Sequence, residues 1–168
     1  MTTDTHDART DGALWLDAAQ QRAWRAYLVG TTLLMDRLDR DLRDQHNLSL
    51  PEYEILVRLS EAPERRLRMA VLADSLSHSR SRVTHTVSRL ERAALVDRVA
   101  CVSDGRGVEA RLTDRGFSLL EEAAITHVRG VREYVVDLAD DDDFAAMGHL
   151  FDAVTDRLVA AHPGLDIR

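Results

Sequence analysis

Residues 72–116 read LADSLSHSRSRVTHTVSRLERAALVDRVACVSDGRGVEARLTDRG. A short apolar helix is predicted first, and Ser79 is a favourable N-cap for a second helix. The apolar face of this second helix carries, at steps of three and four, Val83, Val87 and Leu90. Two β-rich segments, predicted at Val96–Val102 and Val108–Leu112, then flank a turn that holds two glycines. The order is therefore helix, helix, hairpin.

The polar face of the second helix is rich in hydroxyl and basic side chains. An α-helix fits the major groove of DNA, where short polar side chains and Arg address base edges. The free N–H groups of its first turn suit a backbone phosphate. The candidate recognition residues are Ser79, Arg80, Ser81, Arg82, Thr84, His85, Ser88 and Arg89. A solvated amphipathic helix is the alternative when this helix is taken alone.

The hairpin strengthens the nucleic-acid interpretation. An Arg at the tip of a protruding two-stranded turn can enter a minor groove, where narrowing at A·T-rich steps deepens the negative potential. Arg106 stands at that tip, beside Gly107. Asp104 can accept hydrogen bonds from the turn or pair with an Arg, and either contact would stiffen the turn. We therefore predict a DNA-binding wing at Asp104, Arg106 and Gly107, with a generic β-turn as the alternative.

Positive charge is concentrated in the middle of the chain, although the net charge is −7. Residues 58–115 hold 12 Arg and 8 acidic residues, whereas residues 1–57 hold 6 and 10, and residues 116–168 hold 4 and 11. All 22 cationic side chains are Arg, whose planar fork suits phosphate and guanine. Since a local positive face and not the global sum attracts phosphates, the central segment is the expected nucleic-acid surface.

Long helices flank this segment on both sides. The N-terminal helix is predicted from Leu14 to Leu42, and its stripe runs through Trp24, Tyr27, Leu28, Thr31, Leu34, Met35, Leu38 and Leu42. The helix capped by Thr113 has a stripe of Phe117, Leu120, Ala124, Val128, Val131, Val135 and Leu138. The last helix has one of Phe144, Met147, Phe151, Val154, Leu158 and Ala161. These stripes exceed what one small winged domain needs, so they predict burial against a second copy, with packing inside the chain as the alternative.

The predicted fold class is mostly α with a small β wing. A winged helix-turn-helix is flanked by N- and C-terminal dimerisation helices. Between the first long helix and the central segment we expect a helix capped by Ser49, a very short strand at Leu67 and a helix from Met69 to Leu76 with Val71, Leu72 and Leu76 inward. The expected division is a flexible tail at 1–11, a dimerisation region at 12–45 and 116–162, a DNA-binding region at 46–115 and a C-terminal tail at 163–168.

Several short motifs together resemble the MarR family of winged-helix transcription regulators. The family pattern has a Ser-led recognition helix with V-T and R-L-E, an acidic-x-Arg-Gly wing turn and an L-T-x-x-G start of the next helix. The matching residues are Val83-Thr84, Arg89-Leu90-Glu91, Asp104 with Arg106-Gly107, and Leu112-Thr113 with Gly116. The element order across residues 14–162 is also similar. One departure is Ala94, which stands where the family usually ends its recognition helix with Gly, so the sequence places the helix end only to within a residue or two.

The resemblance implies a homodimer on double-stranded DNA with an inverted-repeat operator. Family members commonly repress transcription and are often released by a small-molecule effector. The family's usual effector pocket lies between the first helix, the helix after Ser49 and the helix after Thr113. Candidate lining residues here are Trp24, Arg25, Tyr27 and Tyr53. For Trp24 and Tyr27 a place in the core is the favoured alternative.

Other chemistry has weaker support. Cys101, the only cysteine, falls in a predicted wing strand, where a half-buried structural role is favoured over redox sensing. His46, His78 and His127 lack the close spacing of metal ligands, and a structural role in the helix N-terminus is favoured over a metal loop for the run Asp140–Asp143. No phosphate-binding Gly loop or Ser/His/Asp motif is visible. We therefore expect no enzymatic activity, metal or cofactor.

Two competing functions remain at this stage. The first is a helical ligand-binding or protein-interaction dimer on the same fold without DNA binding, which the Arg distribution and the Arg106 wing disfavour. The second is a helical enzyme with a pocket between its helices. Such an enzyme would need acidic residues or histidines spaced to meet in one cleft, and the sequence shows no such spacing. The N-terminal residues MTTDTHDART lack an apolar secretory core, no 18-residue apolar run predicts a membrane span, and a lone cysteine fits a reducing compartment. A cytoplasmic location is the expectation.

Overall fold

The computed structural model describes residues 15–101 and 107–160. The elements within these ranges are α1 (Ala18–His46), α2 (Leu50–Glu61), a 3₁₀ turn (Pro63–Arg65), β1 (Arg66–Arg68), α3 (Met69–Ser75), α4 (Arg80–Arg92), β2 (Val96–Ala100), β3 (Val108–Leu112), α5 (Asp114–Tyr134), a second 3₁₀ turn (Val136–Leu138) and α6 (Asp141–Val159). The predicted fold class, mostly α with a small β wing, is confirmed. The predicted tails at 1–11 and 163–168 lie outside the described residues.

The chain divides into two compact units, Met1–Leu34 and Met35–Arg168. The described part of the first unit is the N-terminal part of α1. There Trp24 and Tyr27 stack on one another with ring centroids 5.4 Å apart. Their exposed fractions are 51% and 39%, so the expectation that they lie in a core is wrong. The two rings lie about one helical turn apart and contact each other. The 3.6-residue repeat shows that they share a face of the helix, but it does not show that this face is buried.

The core of the second unit lies where α2, α3 and α4 meet. Its largest fully buried side chains are Leu42, Leu48, Ile55, Leu56, Leu59, Leu72, Val83, Val87, Leu90 and Val96. Local sequence explains where α2 begins, since Ser49 is its N-cap and Pro51 lies in its first turn. The Glu52 carboxylate accepts the Ser49 backbone N–H at 2.8 Å, which forms a capping box. Val71, expected inward on α3, is instead 42% exposed, because the short helix turns Leu72 and Ala73 toward the core.

Three antiparallel strands form the sheet, in the order β1-β3-β2. Leu67 of β1 and Arg98 of β2 lie on either side of Ala110 in the central strand β3. Ala110 and Leu112 are buried whereas Arg111 between them is exposed, as the period of two requires. The short strand expected at Leu67 is confirmed. β2 ends at Ala100, and Cys101 therefore follows the strand and is not part of it.

A tight junction joins the end of α4 to the start of α5. Ala94 has φ of 56°, in the left-handed region, immediately after the last turn of α4. The Leu95 N–H donates to the Leu90 carbonyl at 3.0 Å and the Ala94 N–H to the Glu91 carbonyl at 2.9 Å. These two bonds form a Schellman motif, in which the residue at Ala94 is usually Gly. The helix end is thus not displaced by the missing glycine, and the backbone accepts the strain of an Ala at positive φ.

Replacing that Ala tests the strain. We expect Ala94→Gly to raise the free energy of unfolding by about 1 kcal/mol, because Gly adopts positive φ without the Cβ clash. Ala93 is the matched control, since its φ is −85°. Ala93→Gly should lower stability by roughly 0.5–1 kcal/mol through the greater freedom of the unfolded chain. Urea unfolding of both variants measures the difference. Equal effects of the two substitutions would contradict the assigned backbone geometry.

The apolar stripes of the C-terminal helices are only partly buried within the single chain. α5 begins at its Thr113 cap, but it buries Leu120, Ala123, Thr126 and Gly130, whereas Val128 is exposed. α5 ends at Tyr134, so Leu138 falls in the second 3₁₀ turn and is exposed. Asp140 caps α6 by accepting the Asp143 N–H at 2.8 Å. On α6 the exposed apolar side chains are Phe144, Met147, Leu150, Phe151, Val154 and Leu158.

Candidate nucleic-acid interface

The helix α4 presents its polar face outward, as the sequence predicts. Ser79 caps the helix, its hydroxyl oxygen accepting the Arg82 N–H at 3.3 Å. Val83, Val87 and Leu90 are buried beneath it. The exposed candidates are Ser79, Arg80, Ser81, Arg82, Thr84, His85 and Arg89. The apolar face thus fixes α4 on the core while one continuous polar surface stays open.

Cationic groups at the start of α4 are available for an anion. Among the described residues, none forms an ion pair with Arg80 or Arg82. Arg82 acts at longer range on Glu54 of α2 and on His78. Burial raises the pKa of Glu54, and the positive charges of Arg82 and Arg58 counter part of that rise, whereas burial and Arg82 both lower the pKa of His78. Two exposed guanidiniums beside the free N–H groups of a helix N-terminus make a favourable position for phosphate.

Ser88 is more constrained than its neighbours. Its side chain is half-buried, and its hydroxyl donates to the Thr84 carbonyl at 2.8 Å. The Arg98 guanidinium of β2 donates to the Ser88 hydroxyl at 2.7 Å and to the Thr84 carbonyl at 3.0 Å. Ser88 and Arg98 therefore tie α4 to the wing. The Arg98 contact was missed by the sequence analysis, which considered only the outer face of α4.

Arg89 is 45% exposed on its side chain and pairs with the buried Glu52. Its Nε lies 3.2 Å from Glu52 Oε1. This pair connects the last turn of α4 to the capping box of α2. Sequence reasoning missed Glu52, although the Ser-x-x-Glu spacing from Ser49 is a recognisable capping signal.

The wing is described up to its base. The Cys101 N–H donates to the Gly107 carbonyl at 2.9 Å, which pairs the two sides of the hairpin just beyond β2 and β3. Gly107 is half-buried. Asp104 and Arg106 lie outside the described residues, so their role in the wing stays a prediction. Cys101 is only 4% exposed, and its thiol donates to Glu109 Oε1 at 3.3 Å.

Comparison with known proteins identifies the family. The family model described as "MarR family" matches residues 46–107. The crystal structure of Sco3205, a MarR family transcriptional regulator from Streptomyces coelicolor in complex with DNA, is 40% identical, with a TM-score of 0.84 over 89% of this chain and 93% of that chain. The chain belongs to the MarR family of transcriptional regulators.

Further relatives agree with this membership. The MarR family regulator AbsC of Streptomyces coelicolor is 36% identical, with a TM-score of 0.83 over 88% of this chain and 99% of that chain. The transcriptional regulator PecS of Dickeya dadantii is 28% identical over 121 residues, which are 68% of this chain and 72% of that protein. The transcriptional repressor Rv2887 of Mycobacterium tuberculosis is 40% identical over 76 residues, 45% of this chain and 53% of that protein.

MarR membership confirms the resemblance found in the sequence, and the family consists of transcription regulators. In residues 15–101 and 107–160 no three His, Cys, Asp or Glu side chains are grouped as metal ligands. None of the helices described combines the length and hydropathy needed to span a bilayer.

The predicted effector residues are distributed over both units of this MarR chain. Trp24, Arg25 and Tyr27 lie in the first unit, and Tyr53 lies in the second. Tyr53 is buried, and its ring packs against the His127 ring of α5 with centroids 4.7 Å apart. His127 Nδ1 is buried without a hydrogen-bond partner among the described residues. The role of these residues in effector binding stays a prediction.

His127 gives stability a dependence on pH. Burial lowers the pKa of His127 below its ordinary value of 6.5, so the unfolded chain takes up a proton that the folded chain resists. The free energy of unfolding is therefore not reduced by His127 above the unfolded pKa. It falls as the pH drops from about 6.5 toward the depressed pKa of the folded state. We expect His127→Phe, which keeps a ring against Tyr53, to remove this loss.

Urea unfolding between pH 7.5 and pH 5 checks the expectation. The variant should take up fewer protons on unfolding, by at most about one per chain. His78, whose pKa is also lowered by burial and by Arg82, remains in both proteins and supplies a common background. Parallel pH profiles for wild type and His127→Phe would show that His127 is not the group responsible.

Proposed function

We propose that this chain is a homodimeric, sequence-specific DNA-binding regulator that acts on an inverted-repeat operator. The observation that carries the proposal is the exposed polar face of α4, anchored by its buried apolar face and led by the exposed guanidiniums of Arg80 and Arg82. The 40% identity with Sco3205, whose structure contains DNA, supports the same use of the fold. In this proposal α4 enters the major groove and the wing at Asp104, Arg106 and Gly107 grips the neighbouring minor groove.

Dimerisation supplies the second half-site. The exposed apolar stripes of α5 and α6 support burial against a second copy, because apolar patches of this extent are uncommon on soluble monomers. Two equivalent α4 helices then meet successive major grooves on one face of the duplex. Relatives named repressors support repression as the outcome of binding. The proposal places the protein in the cytoplasm with the DNA, and includes release by a small-molecule effector at Trp24, Arg25, Tyr27 and Tyr53.

Footprinting on the DNA upstream of its own gene and neighbouring genes tests the proposal. We expect a protected inverted repeat whose half-site centres are roughly 10–11 bp apart. Arg106→Ala should weaken binding to every operator, most where the flanks are A·T-rich, and keep the preferred core sequence, because minor-groove contacts read shape and charge. Arg106→Lys should rescue only part of the affinity, since it keeps the charge but lacks the planar fork.

Two outcomes would contradict the proposal. A protected single half-site, or sedimentation of a stable folded monomer at micromolar concentration, would remove the dimer. Full affinity of a folded, dimeric Arg106→Ala variant would show that the wing does not grip DNA. Complete absence of sequence-specific binding would favour the alternative, a ligand-binding or protein-interaction dimer on the same fold.

A further inference from the structure

Glu52 is the one strongly buried carboxylate in contact with α4 among the described residues. Only 5% of the residue is exposed. One carboxylate oxygen, Oε2, accepts the backbone N–H of Ser49 at 2.8 Å and also accepts the Ser49 hydroxyl proton. The other oxygen, Oε1, faces Arg89 Nε at 3.2 Å. Both oxygens therefore have a partner, hydrogen-bonded at Oε2 and ion-paired at Oε1, and turning the carboxylate would separate it from one of them in a region of low water content.

The Arg89 guanidinium is held at one edge only. Its Nε lies 3.2 Å from Glu52 Oε1 in an ion pair, and its side chain remains 45% exposed. Among the described residues no second side chain is paired with this guanidinium. The outer edge, with its two Nη groups, is consequently left for an external acceptor. Two parallel N–H donors are the pattern that Arg presents to O6 and N7 of guanine in the major groove.

We propose that Glu52 is a positioning residue for base recognition: it fixes the Nε edge of Arg89 so that the Nη edge meets a base at a defined point of each half-site. The inference rests on the proposed function. An unrestrained Arg loses considerable side-chain freedom when it binds. Glu52 is held in the capping box, so Arg89 loses its side-chain freedom when the chain folds and not when DNA binds. A guanidinium fixed in advance then binds the base that matches its position better than the other bases.

A second contact, from α1, holds the same end of α2. The Leu50 N–H, also in the first turn of α2, donates to Asp39 Oδ1 of α1 at 2.8 Å. The start of α2 is thus fixed from α1 on one side and holds α4 through Arg89 on the other. Among the described residues, Glu52 pairs with Arg89 and with none of the other predicted DNA contacts on the exposed polar face of α4. It therefore fixes the position of Arg89 without adding a DNA contact of its own.

Glu52→Gln separates positioning from folding. Gln retains the length and an amide oxygen that accepts the Ser49 N–H, as it does in natural capping boxes, but it lacks the charge that holds Arg89. We expect operator discrimination to fall roughly 3- to 30-fold at one symmetric half-site position, with affinity for random DNA unchanged. Arg89→Gln should lose discrimination at that same position, roughly 5- to 150-fold. The double variant should lose no more than Arg89→Gln alone.

Glu61→Gln is the matched control. Glu61 lies on the same helix and pairs with Arg58 at 3.9 Å, but its side chain is exposed. This variant removes the same charge without touching α4, so it should discriminate as wild type does. Titration of each variant against operators changed one base pair at a time provides the comparison.

The outcomes separate the inference from the proposed function. If wild type itself shows no preferred operator, the proposed function fails. If wild type discriminates and Glu52→Gln does so equally, or weakens all sequences evenly, the positioning role of Glu52 is overturned while the regulator stands. A uniform loss for Arg89→Gln would likewise overturn it, because Arg89 would then contact phosphate.

A measurement on the wild-type protein covers the case in which Glu52→Gln does not fold. The Arg89 Nε–H resonance, assigned by its loss in Arg89→Lys, should exchange slowly with water and keep its chemical shift when operator is added. The Nη resonances should move instead. A shift or rapid exchange of the Nε–H on operator binding would show that Arg89 leaves Glu52 to bind DNA, and the proposal would be rejected.

Discussion

Replacing Gly116 by Ala is expected to destabilise the protein by about 3 kcal/mol, because the new methyl group has no space and the obstacle is backbone. A Cβ at Gly116 would overlap with the Leu95 carbonyl oxygen and lie 2.8 Å from Leu112 Cδ1. The Leu95 carbonyl cannot withdraw freely, since it accepts the Thr113 N–H and the Thr113 hydroxyl, both at 3.1 Å. Thermal unfolding should show a midpoint lowered by roughly 10 °C.

Ser118→Ala is the control for this prediction. Ser118 is exposed two residues further along α5, so an Ala there adds no contact and should change stability by less than about 0.5 kcal/mol. If Gly116→Ala proves as stable as this control, the close approach of α5 to Leu95 is not present in solution. The glycine of the L-T-x-x-G motif would then have no steric explanation.

Operator affinity is expected to fall steeply with salt, by about three to five orders of magnitude between 50 and 200 mM for six to ten phosphate contacts. The double variant Arg80→Gln, Arg82→Gln removes up to four such contacts from a dimer. The slope of log affinity against log salt should therefore become shallower by about 3 to 4. Filter-binding or fluorescence titration at several salt concentrations gives the slope directly.

A variant with the same change in net charge serves as its control. Arg129 and Arg132 lie on α5, where they bind Gln45 at 2.9 Å and Asp137 at 2.7 Å. Arg129→Gln, Arg132→Gln should leave the slope unchanged if the dimer is intact by sedimentation. An equal loss of slope in both double variants would mean that overall charge, and not the start of α4, governs the binding.

Local signals were sufficient to predict most of the helix starts and the reading face. Ser49, Ser79 and Thr113 act within three residues of themselves, so their caps are visible in the sequence, and the apolar face of α4 follows from a period of 3.6. The helix drawn on to Leu138 was wrong, because α5 ends at Tyr134 and Leu138 lies in the second 3₁₀ turn. Periodicity alone carries a helix past Tyr134, and it does not record where neighbouring elements approach.

Tertiary pairs were beyond the reach of sequence patterns. Glu52 and Arg89 are 37 positions apart, and nothing local to either residue indicates that they meet. Arg98 likewise reads as an ordinary strand residue, although it binds Ser88 and the Thr84 carbonyl. Both pairings depend on the angle at which α4 lies on its neighbours, which packing of the whole core determines. The bases contacted and the effector depend on surfaces of other molecules.

The junction at Ala94, Leu95 and Thr113 has a mechanical consequence. The Thr113 hydroxyl shares its one proton between the Ala94 carbonyl at 2.9 Å and the Leu95 carbonyl at 3.1 Å, and it accepts the Gly116 N–H at 3.0 Å, so it joins the end of α4 to the start of α5. The 21 residues of α5 make a lever arm of about 30 Å, at 1.5 Å per residue. A tilt of about 5° at its far end displaces the other end by roughly 2.5 Å over that length. Angular changes of this size in the helical region would carry a reading helix out of register with its groove.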